Sequence, residues 1–158
     1  MTTELKNKEQ LIAKLNQIVE HELAGVVRYT HYSFMVFGFS RIPVVSWFRG
    51  AATETLTHAT EAGEMITLLG GHPSLGIGSL LETHQHDMAE ILRESMDFEI
   101  QGVELYQELL TLAEEAGSIT LEEYARQKIS EEAMHIGDID KMLRRPGEIK
   151  QAIDTDTP

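Results

Sequence analysis

An internal repeat at one fixed offset constrains this chain more than any other feature. A shift of 77 residues carries Glu22-Leu23-Ala24-Gly25-Val26-Val27-Arg28-Tyr29 onto Glu99-Ile100-Gln101-Gly102-Val103-Glu104-Leu105-Tyr106. The same shift takes Glu54 to Glu131, His58 to His135 and Met65 to Met142. Glu22 and His58 are 36 residues apart, as are Glu99 and His135. Two like halves must therefore fold alike, and each must find equivalent surroundings for a Glu and a His.

The halves read as helices. Pro occurs only at 43, 73, 146 and 158, and the segments between carry helical periodicity. The first helix runs from about Glu9 to Gly38, with an apolar stripe through Leu11, Leu15, Ile18, Tyr29, Tyr32 and Val36. Pro43 suits the first turn of the second, which ends near Leu69 before Gly70-Gly71-His72-Pro73. A third is expected over Thr83 to Ala116. A fourth starts at the T-x-x-E capping box Thr120–Glu123 and runs to about Arg145. The bundle thus covers about 8–145 of a single domain, and the tail 146–158 holds at most one short helix. No strand or hairpin signal occurs, so the fold class is all-α, a four-helix bundle.

The middle connection sets the topology. Residues 70–82, fully extended, span about 43 Å at about 3.3 Å per residue. A helix of about 28 residues is about 42 Å long. The connection can therefore run the length of the bundle, which favours a long crossover between helices two and three.

Counting along the arms of each helical pair puts Glu22 level with His58, and Glu99 level with His135, at mid-bundle. Glu132 and His135 are i and i+3, so they share a face. These polar groups interrupt apolar stripes. Ionised carboxylates at core depth are costly unless paired or bound to metal, and several together raise one another's pKa. A pair of divalent ions removes both problems. The bland alternative is a set of satisfied core polar residues.

Composition agrees with a metal partner. Formal net charge is −13, from 26 acidic and 13 basic residues, which disfavours nucleic acid and favours cations. The chain has no Cys, which excludes thiolate-held metal and iron–sulfur sites. No apolar leader or run of membrane-spanning length is present, and a cytoplasmic location without membrane contact is expected.

Glu from one helix of each half, with Glu-x-x-His from the other, is the pattern of ferritin-like di-iron bundles. The chain resembles the bacterioferritin branch of those proteins over about residues 8 to 145. The resemblance rests on ELAGVVRY, LTHA, the Gly-Gly-His-Pro break, FEIQGVELY and EEAMH, at their spacing. It implies a di-iron site (Fe) in which Glu22 and His58 hold one metal, Glu99 and His135 hold the other, and Glu132 bridges. Tyr29 matches the family's Tyr beside the site, where it hydrogen-bonds a carboxylate or supplies an electron; it reads equally well as a core tyrosine. The family's haem-ligating Met position is Leu56, which cannot ligate iron, so haem is not expected there. The resemblance also implies a homo-oligomer, at least a dimer, with Trp47, Phe48 and Phe39 offering apolar surface. A cage is left open, because the family cage uses a fifth helix.

The family's second bridging Glu is Thr55 here. Three outcomes follow: an open bridge position in a five-ligand centre, one metal held by Glu99, Glu132 and His135, or Glu54 brought inward by a π-bulge. The expected function is oxidation of Fe(II) by O2 or peroxide for iron storage or detoxification, a possible ferroxidase. A metal-binding relative without that activity and a purely structural bundle are the alternatives. Glu131 is expected outside the motif, Tyr106 to pack, and Glu61 and Glu64 to lie on the surface. His84-Gln85-His86 reads as a solvated helix end, with a surface metal as the other reading.

Overall fold

A computed structural model describes residues 5–152. Four helices fill it: α1 Lys8–Phe34, α2 Arg41–Leu68, α3 Met88–Ala116 and α4 Ile119–Leu143. No strand occurs among the described residues. α1 packs on α2, α3 packs on α4, and α1 also packs on α3. The two halves of the repeat are thus the two helical pairs.

Several boundaries differ from the sequence reading. α3 begins at Met88 rather than near Thr83, because residues 69–87 all serve the crossover. α4 is capped by Ser118, whose hydroxyl accepts from Leu121 N–H at 3.3 Å, and not by Thr120. Both residues suit the role, but only Ser118 has the extended backbone that a cap needs. Residues 146–152 of the tail carry no helix, and the rest of the tail lies outside the described residues.

The crossover is laid along α1 by polar contacts that periodicity cannot reveal. Asn16 holds the His72 carbonyl at 3.2 Å and the Ser74 N–H at 2.7 Å. Gly78 N–H donates to the Glu20 carbonyl at 2.8 Å. A β-carbon at Gly78 would meet that oxygen at 3.0 Å, so a side chain there would push the two segments apart by a few tenths of an ångström. Arg28 donates to the Ser79 carbonyl at 2.9 Å. The contacts climb α1 from Asn16 to Arg28, so the connection returns along the bundle and α3 starts at the far end.

The core divides in two. Leu11, Leu15, Ile18, Ala62, Ile66, Leu109 and Leu121 fill one end. Tyr29, Tyr32, Phe48, Ile91, Leu92, Met96 and Ile139 fill the other. Phe48 is fully buried in this second cluster and so is not part of an apolar outer surface, as the sequence reading had it; Phe39 is exposed. A buried polar layer of Glu22, Thr55, His58, Glu99 and Glu132 lies at mid-helix.

Gly25 sets the spacing of that layer. An added β-carbon would fall 2.4 Å from the Phe98 ring and 2.7 Å from Thr55 Cγ2. Overpacking of this kind costs about 1–3 kcal/mol, against a gain of about 1 kcal/mol in helix propensity. Gly25→Ala is expected to lower the urea midpoint, and Phe98→Leu in the same chain to restore part of the loss. An unchanged or raised midpoint for Gly25→Ala contradicts the packing described.

Candidate metal centre

The mid-bundle layer brings all five expected residues together. Glu22 on α1, His58 on α2, Glu99 on α3 and Glu132 on α4 are buried, and His135 is partly buried. Two donor sets include Glu132, and a third, of Glu54, His58 and Glu131, lies beside them. Ligand atoms of Glu22, His58 and Glu132 lie within 4.8 Å of one another, as do those of Glu99, Glu132 and His135. Glu132 belongs to both.

Each imidazole turns Nδ1 inward. His58 Nδ1 lies 2.8 Å from Glu132 Oε1 and 3.8 Å from Glu22 Oε2. His135 Nδ1 lies 3.8 Å from Glu99 Oε1. His58 Nδ1 is fully buried and makes no hydrogen bond, although Glu132 Oε1 lies 2.8 Å away. An orphaned imidazole nitrogen facing two carboxylates fits a divalent cation.

The two tyrosines are crossed between the halves. Tyr29 of the first half donates to Glu99, and Tyr106 of the second donates to Glu22 at 3.0 Å. Tyr106, read from sequence as packing alone, thus holds a carboxylate. Both phenols are buried and next to carboxylates, and their pKa values rise well above the usual tyrosine value. They stay protonated and orient the carboxylates as donors.

Glu131, expected outside the motif, reaches the site, and so does Glu54, which the sequence left as one of three outcomes. Glu54 and Glu131, each one residue before the bridging position, are repeat mates that reach the histidines from outside. Glu54 Oε2 lies 2.8 Å from His135 Nε2, and Glu131 Oε2 lies 3.1 Å from His58 Nε2. Each half thereby braces the other half's histidine. Helix register alone turns both residues away, but a long Glu side chain at the helix edge closes the gap. The repeat itself was the available signal, since Glu54 and Glu131 are one of its matched pairs. Lys128 anchors Glu131 at 3.0 Å and pairs with Glu61, so Glu61 is half of a cross-helix ion pair.

Thr55 is buried, and its hydroxyl donates to the Ala51 carbonyl at 2.7 Å. Its methyl group faces Gly25. α2 is regular from Arg41 to Leu68, so no π-bulge brings Glu54 inward.

The sequence profile described as Ferritin, ferritin-like domain, matches residues 12–147. The chain belongs to the ferritin-like family. A solved structure titled a ferritin-like, diiron-carboxylate protein, from Bacillus anthracis str. Ames, superposes with a TM-score of 0.83 at 22% identity. The match covers 87% of this chain and 98% of that one, and it shows the shared fold. No curated protein sequence matches the chain.

Electrostatics of this ferritin-like centre follow from burial. Burial, with Glu99 nearby, raises Glu22 to about 8. Burial, then the hydrogen bond and charge of Glu99, raise Glu132 to about 12. Burial also works against the Glu99 carboxylate, but hydrogen bonds from Glu132, His135 and Tyr29 outweigh it and hold Glu99 low. Glu132 and Glu99 thus share one proton, carried by Glu132. The hydrogen bond to Glu99 raises His135 to about 9, with burial opposing it, whereas burial and Lys128 keep His58 neutral. Without metal, protons do the neutralising.

Glu22 and His135 have folded values of about 8 and about 9, above ordinary values of 4.5 and 6.5. Each contributes stability present in full below its ordinary value and lost as pH rises through its folded value. Glu132, also raised, acts in the same sense. His58, being lowered, loses stability only toward acid pH. Metal-free protein is therefore expected to lose Tm steadily from pH 6.5 to 9 in scanning calorimetry. A Tm that rises across that window contradicts this account of the layer.

Proposed function

We propose that the chain is an iron-binding protein of the bacterioferritin branch, which oxidises Fe(II) with O2 or peroxide for iron storage or detoxification. The observation that carries this reading is Glu132, a buried carboxylate common to both donor sets. Glu22 and His58 would hold one ion, Glu99 and His135 the other, and Glu132 both. Iron supplies the electron given up to the oxidant. The chain's own groups do the rest. Tyr106 and Tyr29 orient the two terminal carboxylates. Glu131 and Glu54 lie 3.1 Å and 2.8 Å from the outer imidazole nitrogens, where they would hold the rings with Nδ1 turned inward. Protons resting on Glu22 and Glu132 leave when cations arrive. Tyr29, buried against Glu99, would be the residue that supplies an electron.

Leu56 is half exposed on α2, so the surface where the family's haem ligand would stand presents an aliphatic chain. Haem is not part of the proposal. Exposed Phe34, Phe37, Phe39 and Ile42 cluster at the α1–α2 connection and support assembly with at least one further copy. No described helix is long and apolar enough to cross a membrane.

One observation favours a second reading, metal binding without oxidation. Thr55 spends its hydroxyl on a backbone carbonyl, so the second bridge position offers no carboxylate. Aerobic Fe(II) oxidation followed by absorbance decides between the two. The native chain is expected to oxidise Fe(II) faster than buffer. Glu132→Ala should slow it by more than about 100-fold, beyond the loss of a merely supporting partner. Thr55→Glu should add bound iron and speed oxidation. A native chain that binds iron but oxidises it no faster than buffer supports the second reading. Native protein with no bound iron overturns both.

A further inference from the structure

We propose a second metal site on the outside of the bundle, in which His31, Glu82 and His86 hold a divalent transition-metal ion such as Zn(II). It shares no residue with the mid-bundle centre and does not depend on the function proposed for that centre.

The fold itself assembles the three donors. His31 lies in the last turn of α1, and Glu82 and His86 lie at the end of the crossover, just before α3. The contacts that lay the crossover along α1 end at Arg28 and Ser79, one turn short of His31. They deliver Glu82 to that imidazole. Its Oε2 lies 3.1 Å from His31 Nε2, and its Oε1 lies 3.4 Å from His86 Nε2. All three donor atoms fall within 4.8 Å of one another. Tetrahedral ligands about 2.0–2.1 Å from a zinc ion sit about 3.3 Å apart, so the two measured edges already match an occupied site.

A second observation points the same way. His86 Nε2 is buried and makes no hydrogen bond, although its ring is 33% exposed. Glu82 Oε1 is 3.4 Å away without hydrogen-bonding to it, and accepts from the His84 N–H instead. A buried nitrogen without a partner, aimed at a carboxylate and facing a second imidazole, lacks a cation rather than a proton donor. His84 is 85% exposed with its Nδ1 3.9 Å from Glu82, and the site is complete without it.

Donor chemistry selects the ion. Two imidazoles and one carboxylate suit Zn(II), Fe(II) and their neighbours, whereas Ca(II) and Mg(II) prefer oxygen alone. Three protein donors leave a coordination position open to solvent. His31 and Glu82 are 45% and 40% exposed, so an ion can reach them. They also line a cleft of about 220 Å³. The site stands outside the internal repeat, because the 77-residue shift carries His31 to Glu108. It belongs to the crossover, and an ion bound there would clamp the crossover to α1.

Zinc titration of the full metal-free chain by calorimetry tests this. The native chain is expected to bind one more zinc ion than either His31→Ala or His86→Ala. Glu132→Ala, which disrupts the inner centre, should retain an ion that Glu132→Ala with His31→Ala loses. Zinc should raise the Tm of Glu132→Ala, and this rise should vanish in the double variant. Cobalt(II) should give Glu132→Ala ligand-field absorption that the double variant lacks. Should Glu132→Ala misfold, the native chain against His31→Ala decides by stoichiometry alone. Equal zinc stoichiometry and affinity in the native chain, His31→Ala and His86→Ala overturns the proposal.

Discussion

Convergence of buried carboxylates at mid-bundle is the constraint on which the rest of the structure depends. Three glutamates share one layer with two histidines, between two apolar clusters. In a low-dielectric interior they cannot all be charged without partners. The metal-free chain answers with protons on Glu132 and Glu22, a charged His135 and hydrogen bonds from two tyrosines. Cations at the same place would replace those protons. The layer therefore leaves one imidazole nitrogen, His58 Nδ1, without a hydrogen bond.

The duplicated architecture distributes that cost evenly. Each half contributes a carboxylate, an imidazole, a tyrosine that serves the other half's glutamate, and an outer glutamate that braces the other half's histidine. Pairing across the halves makes the polar layer the seam of the fold. The asymmetry lies at Thr55 and Glu132, which the repeat superposes. On one side a hydroxyl is turned back to its own helix; on the other a carboxylate belongs to both donor sets.

Much of this was legible in the sequence because it depends on register. Equal arms about each helical hairpin fix the levels of Glu22, His58, Glu99 and His135. The i, i+3 spacing fixes the face of Glu132. The length of the middle connection gave the crossover topology. What escaped depends on side-chain reach and loop contacts. Glu54 and Glu131 sit at positions turned from the core, yet their carboxylates extend to the imidazoles. Tyr106 looked like packing because its hydroxyl partner comes from another helix 84 residues away. The start of α3 was placed early because the last crossover residues, from Thr83, look compatible with helix. They are committed instead to the connection that runs beside α1.

The central claim is that Glu132 is the shared ligand of two metal ions. Anomalous scattering at the iron edge, from crystals loaded with Fe(II) without oxygen, tests it most directly. The account predicts two peaks on either side of the Glu132 carboxylate, one toward Glu22 and His58 and one toward Glu99 and His135. Iron confined to the outer carboxylates Glu54 and Glu131, or a mid-bundle layer without iron, would contradict it.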